Sequence, residues 1–279
     1  MTDNILLCSD LDRTLLPNGS QPESPQARER LHRLAERPEI KLAYVTGRNR
    51  GLIGEAIATY DLPLPDYAVG DVGATIYRIS DGQWREWDAW AQQIAPDWNG
   101  RNHDQIAALF EGISELEMQE SDKQGRFKLS YYTPEQVDRQ QLKKKMTQRL
   151  QEDHIRSSLI WSVDEAEHQG LMDILPERAT KHHAVRFVMQ QNGFSDQRTV
   201  FAGDSGNDMP ALTSGLQAIL VRNAGEALRT EALNAMQAKG MPERLYTAKG
   251  DFLGMNGNYT AGVLEGLAHF IPETAAWMK

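Results

Sequence analysis

Four short segments of this chain carry side chains that could do chemistry. In Asp10-Leu11-Asp12-Arg13-Thr14 two carboxylates lie with one residue between them. In a dry site they would repel one another when both are ionised. A divalent cation relieves that repulsion. Hard oxygen ligands of this kind suit Mg2+, which keeps several waters and often shares its shell with a substrate phosphate. Two solvated acids are the plain alternative. Thr46-Gly47-Arg48-Asn49 offers a hydroxyl and backbone amides at a turn, the makings of an anion site. A turn with a helix N-cap would look the same. Lys181 opens an expected helix and matters only if the fold aims it into the same pocket. Gly203-Asp204-Ser205-Gly206-Asn207-Asp208 is the most specific segment. Its glycines permit a tight path, Asp204 adds a third carboxylate, and Asn207 and Asp208 could orient the ligands.

The elements around these segments would bring them together. Ile5–Ser9 is a short apolar run and reads as a buried strand ending at Asp10. Residues 17–25 are rich in Pro, Gly, Ser and Asn and read as a loop. Residues 26–37 carry Ala27, Leu31, Leu34 and Ala35 at helical spacing, and Pro38 stops that helix. Ile40–Val45 reads as a second strand, so the first two strands pair in parallel through a right-handed crossover. The last hundred residues repeat the rhythm. Helices are expected over 181–191, 208–213, 226–239 and 260–270, and strands over 199–202, 218–221 and 245–248. The sum is an open α/β fold, a mostly parallel sheet covered on both faces. Ligands of such sheets bind beyond the carboxyl ends of the strands, where the four segments would converge.

The middle of the chain reads differently. Phe127, Leu129 and Tyr131 alternate with Lys128, Ser130 and Tyr132, which predicts a sheet with one covered and one open face. The expected organisation is a core over 1–82, an inserted α+β domain over 83–177, and the core resumed over 178–279. Trp84, Trp87, Trp90 and Trp98 sit at near-helical spacing and are expected to pack this inserted domain.

Composition narrows the class. The 279 residues are 40% hydrophobic and 25% charged, which excludes a disordered or fibrous chain. One cysteine, Cys8, excludes a disulfide framework. The net charge of −9 argues against general nucleic-acid binding. No apolar run approaches a membrane span and no signal peptide is read, so no membrane partner and a cytoplasmic location are expected. The oligomeric state is open, and a monomer is compatible.

Asp10-Leu-Asp-Arg-Thr14, Thr46, Lys181 and Gly203-Asp-Ser-Gly-Asn-Asp208 resemble, in this order, the four motifs of the haloacid dehalogenase (HAD) superfamily. The insertion between the second and third motifs resembles the large α/β cap that some members carry over a Rossmann-like core. Within the superfamily the chain is similar to sucrose-6-phosphate phosphatases. Asp71-Val72-Gly73-Ala74-Thr75, the stretch from Lys123 to Tyr132, Met172-Asp173-Ile174-Leu175-Pro176 and Val221-Arg222-Asn223-Ala224 carry that likeness. Lys123, Arg222 and Asn49 depart from it.

The resemblance implies a Mg2+-dependent phosphomonoester hydrolase acting on a sugar phosphate, with sucrose 6-phosphate the best guess. It implies Asp10 as nucleophile, forming an aspartyl phosphate, and Asp12 as acid and base. Thr46 and Lys181 would hold the phosphoryl group. Asp10, Asp12 (through its main-chain carbonyl) and Asp204 would hold Mg2+, with Asp208 and Asn207 supporting them. Asp208 is counted with the catalytic residues, and Gly47, Arg48, Asn49, Gln124, Lys128 and Asn207 are candidates for substrate contact. Mannosylfructose phosphate, glucosylglycerol phosphate and mannosyl-3-phosphoglycerate are rival substrates. A phosphosugar mutase and a non-catalytic sugar-phosphate binder are rival activities.

Overall fold

The computed structural model describes residues 4–164 and 168–279. Residues 1–3 of the expected first core segment and 165–167 of the expected inserted domain lie outside the described residues. The chain opens with β1 (Ile5–Ser9), buried along its whole length. Such a continuous apolar run suits a strand covered on both faces. Helix α1 (Ala27–Ala35) buries Ala27, Leu31 and Leu34 as one stripe. Strand β2 (Ile40–Val45) follows, then α2 (Arg50–Thr59), β3 (Tyr67–Gly70), β4 (Thr75–Ser80) and β5 (Gln83–Glu86). The β4–β5 hairpin turns on Asp81 and Gly82, both at positive φ, as a two-residue turn of this hand requires.

The middle of the chain is a compact unit of its own, Trp87–Thr180. It holds α3 (Asp88–Ile94), α4 (His103–Ala108), the two-residue strand β6 (Glu117–Met118), β7 (Leu129–Pro134), α5 (Arg139–Glu152), β8 (Ser157–Asp164) and β9 (Gln169–Pro176). The strands form an antiparallel sheet in the order β6-β7-β9-β8. Helix α5 buries Leu142, Met146 and Leu150, one stripe at a spacing of four. Trp87, Trp90 and Trp98 are buried in this unit. Trp98 donates from Nε1 to Ser157 and meets Phe127 edge to face. Trp84 belongs instead to β5, against Tyr77.

The other unit runs up to Glu86 and resumes at Lys181. Its second part holds α6 (Lys181–Asn192), β10 (Thr199–Gly203), α7 (Met209–Leu212), β11 (Gln217–Leu220), α8 (Glu226–Ala238), β12 (Leu245–Thr247), α9 (Thr260–Phe270) and α10 (Thr274–Trp277). The sheet order is β12-β11-β10-β1-β2-β3-β4-β5, parallel from β12 to β3 and antiparallel beyond. The units part a few residues beyond the positions expected from sequence. Strand β5 pairs with β4, and Arg178 is bonded to the buried carboxylate of Asp97.

One reading of the middle segment changes at β7. The expected open face of β7 is closed at its start. Ser130 is fully buried and Lys128 nearly so, because the chain from Gln119 to Gly125 folds across them. Gln124 supplies the clip. Its Nε2 donates to the carbonyls of Gln119 and Ser130, and its Oε1 accepts from the amide of Ser130.

Candidate active site

Strands β1 and β10 are neighbours in register, Ser9 opposite Ala202, so their carboxyl ends place Asp10 beside the turn that starts at Gly203. Strand β2 lies on the other side of β1, Ser9 opposite Tyr44, and brings the turn of Thr46 to the same carboxyl end of the sheet. Lys181 is the first residue of α6 and is 2% exposed. Its Nζ lies 3.0 Å from Asp10 Oδ2, 2.8 Å from Asp208 Oδ1 and 3.4 Å from Asn207 Oδ1. Three of the four expected segments therefore meet at one ammonium group.

The turn from Gly203 to Asp208 is built around the Asp208 carboxylate. Its Oδ2 accepts from the amides of Asp204 and Ser205 and from the Ser205 hydroxyl. A Cβ on Gly203 would lie 2.6 Å from Asp208 Cγ, so no side chain fits there. Asp204 Oδ1 accepts from Thr14 Oγ1 at 3.0 Å, and Arg13 Nε lies 3.6 Å from its Oδ2. Asp10 Oδ1 accepts from the amide of Leu11 at 2.7 Å.

Asp10, Asp204 and Asp208 are all buried, with ligand atoms within 4.8 Å of one another. Burial raises the pKa of Asp10, and Asp208 adds to this, while Lys181 opposes it. Asp204 is pushed up to about 6, first by burial and then by Asp208. For Lys181 burial works downward, but Asp10 and Asp208 outweigh it and hold the ammonium charged. Three carboxylates around one ammonium leave an excess of buried negative charge. Both oxygens of Asp208 are committed to protein donors, so Asp10 and Asp204 carry the excess. That donor set fits a hard divalent cation.

Asp12 stands apart from this group. Its carboxylate is gripped by Arg48, Nε to Oδ2 at 2.8 Å and Nη2 to Oδ1 at 2.6 Å, and Oδ1 also accepts from Asn18. Burial pulls its pKa upward, but Arg48 outweighs burial and holds the carboxyl below its ordinary range. The clustered carboxylates are thus Asp10, Asp204 and Asp208, and the Asp12 side chain is turned to Arg48, which leaves the expected contribution of Asp12 to a metal with its main-chain carbonyl.

The second segment divides its work. Thr46 is fully buried, and its Oγ1 accepts from the amide of Arg48. Asn49 caps α2 by accepting from the amide of Leu52, so for this residue the plain turn reading holds. Asp71, Val72 and Gly73 stand at successive positive φ values of 53°, 60° and 112°. This turn braces the segment: Val72 donates to the Thr46 carbonyl and Asp71 to that of Arg48. Gly47 lies beside Val72.

Two expected substrate contacts lie in the other unit. Lys128 Nζ is 3.8 Å from Asp173 Oδ1, which accepts from Ser130 Oγ at 2.5 Å. Asp173 was not singled out as a site residue from the sequence. Its signal was there, as the polar partner directly across from Ser130 in the β7–β9 register. Gln124 is saturated by its own unit: besides its backbone bonds, Oε1 lies 3.2 Å from His103 Nε2.

A family model described as sucrose-6F-phosphate phosphohydrolase matches residues 3–271. A protein of Nitrosococcus oceani described as a HAD-like hydrolase is 59% identical over 279 residues, covering 100% of this chain and 75% of that one. The mannosylfructose-phosphate phosphatase of Agrobacterium fabrum is 26% identical over 271 residues, covering 95% and 96%. Among solved structures, the sucrose-phosphatase of Synechocystis in complex with sucrose and phosphate superposes with a TM-score of 0.71. Its identity is 27%, and the match covers 96% of this chain and 98% of that one.

Proposed function

This chain belongs to the sucrose-6F-phosphate phosphohydrolase family, and on that premise we propose that it hydrolyses sucrose 6-phosphate with Mg2+ through a phosphoryl group carried on Asp10. It is a phosphatase of the HAD superfamily. The observation that carries the mechanistic reading is the single ammonium of Lys181 shared by Asp10 and Asp208 beside Asp204.

A carboxylate oxygen of Asp10 attacks phosphorus, and the bond from phosphorus to the sugar oxygen breaks. Asp12 gives its proton to that oxygen. Water then attacks phosphorus, Asp12 takes the proton back, and the bond to Asp10 breaks to release phosphate. Lys181 and the Thr46 hydroxyl hold the phosphoryl oxygens. Asp208 fixes Lys181 and the Asp204 amide. Asp10, Asp204 and the main-chain carbonyl of Asp12 would hold Mg2+, with Asn207 supporting them. A cation bound there would supply charge neutralisation to the transferring phosphoryl group. Arg48 keeps Asp12 ionised, the form that takes a proton. It must release Asp12 before the first step, which frees its guanidinium for the substrate. Gly47 and Asn49 shape that loop. Lys128, oriented by Asp173 and Ser130, grips sugar hydroxyls, and Gln124 serves it by holding the chain across Ser130.

Mannosylfructose phosphate is the second reading, favoured by the full-length match to the Agrobacterium enzyme. The test is phosphate release at saturating Mg2+ from sucrose 6-phosphate, mannosylfructose phosphate, trehalose 6-phosphate, glucosylglycerol phosphate and glucose 6-phosphate. A preference of about tenfold or more for sucrose 6-phosphate supports the first reading. A preference for another glycoside phosphate replaces the substrate and keeps the chemistry.

A further inference from the structure

Two residues at positive φ from distant parts of the sequence are joined at the site loop. Arg13 stands at φ 57°, between Asp12 and Thr14. Tyr259 stands at φ 50° and ψ −133°, just before α9. Side chains with a Cβ resist both conformations, and such strain persists only where the surroundings over-determine it. One buried amide reaches both. Asn223, 6% exposed and just beyond β11, donates from Nδ2 to the Arg13 carbonyl at 2.7 Å. Its Oδ1 accepts from the Tyr259 amide at 2.8 Å. A carbonyl can only accept and an amide N–H can only donate, so this orientation of Asn223 is fixed by its partners.

The loop that Asn223 holds is also held from the same side by the segment of Tyr259. The fully buried Tyr259 hydroxyl accepts from the amide of Gln21 and donates to Gln21 Oε1, each at 3.2 Å. The side-chain Nδ2 groups of Asn256 and Asn258 both donate to the Pro22 carbonyl. Thr260 Oγ1 donates to the Leu15 carbonyl at 2.9 Å. At the other end of the loop, Thr14 Oγ1 donates to Asp204 and the Asp12 carboxylate lies on Arg48. The left-handed step at Arg13 lets these two neighbours turn to different partners.

We propose that Asn223 is a positioning residue of the phosphatase site. It clamps Arg13 in the left-handed conformation that presents Asp12 and Thr14, and Tyr259 braces the clamp. Its activity arm rests on the phosphatase reading. The test is a cycle of Asn223→Ala, Arg13→Gly and the double variant, read by kcat, KM and amide hydrogen exchange over residues 11–24. Asn223→Ala should lower kcat about tenfold or more, the effect of losing buried hydrogen bonds, with KM within about twofold. Glycine adopts positive φ freely, so in the Arg13→Gly background the same change should lower kcat by no more than about threefold. A merely structural asparagine would cost the same in both backgrounds, and that result, or an Asn223→Ala enzyme as active as wild type, overturns the proposal. Asn223→Asp keeps an acceptor for Tyr259 and loses the donor to Arg13. It should match Asn223→Ala in kcat and replaces it in the cycle if the alanine variant does not fold. Wild type that releases no phosphate would sink the phosphatase reading alone. Exchange over 11–24 would then decide the clamp: faster in Asn223→Ala and restored by Arg13→Gly supports it, unchanged overturns it.

Discussion

Lys181 is the residue on which the site balances. It is buried between Asp10 and Asp208, so each carboxylate depends on it for charge compensation. Replacing it with Met leaves uncompensated buried charge. Urea unfolding of Lys181→Met without added metal should show a loss of about 3–5 kcal/mol, and phosphate release should fall below detection. A variant as stable as wild type would mean that the three groups do not share charge as their distances indicate. Asp12 shows what spacing alone leaves out. Its carboxylate is held by Arg48, a pairing between residues too far apart in the chain to be read from the alternation of Asp10 and Asp12.

At the scale of elements, α6 links the site to pH. His182 follows Lys181, and its pKa falls from 6.5 to about 4, by burial first and then by Arg186, His183 and Lys239. The folded chain thus keeps this imidazole neutral while the unfolded chain protonates it. Stability from this group is complete above about pH 6.5 and declines as pH falls toward 4. His182→Gln should flatten that decline in Tm between pH 6.5 and 4, and an unchanged slope would refute the assignment. In the inserted unit, Lys128→Ala should raise KM for the best sugar phosphate about tenfold and leave p-nitrophenyl phosphate hydrolysis within about twofold. Equal losses on both substrates would remove Lys128 from sugar recognition. The parallel strands and their helices were legible because apolar runs and helical stripes are local signals, and β1, β2 and α9 fall on the residues expected. Strand β5 was missed although Asp81-Gly82 is a hairpin signal, because Trp84 was grouped with the tryptophans that follow it. The burial of Lys128 and Ser130 was missed because it comes from a crossing loop, which leaves no period in the strand itself. Asn223 showed only as part of a familiar segment, since its two partners lie far off in the sequence.

For the molecule as a whole, the clustered carboxylates and Lys181 sit at the carboxyl ends of central strands of the eight-stranded sheet, and the inserted unit carries its own core. Among the described residues no helix is long and apolar enough to cross a membrane. A cation held by the buried carboxylates binds the folded chain and not the unfolded one. Mg2+ at a hundred times its Kd should therefore stabilise the protein by about 2.7 kcal/mol, and EDTA should remove both this gain and the activity. Activity that survives EDTA would rule the cation out. The most direct test of the central claim sets wild type beside Asp10→Asn on the best sugar phosphate of the panel at saturating Mg2+, with released phosphate as readout. Wild type should turn over and Asp10→Asn should release at least about a thousandfold less, since a carboxamide cannot take the phosphoryl group. Near-equal rates would contradict the account, because the phosphoryl group would then not pass through Asp10.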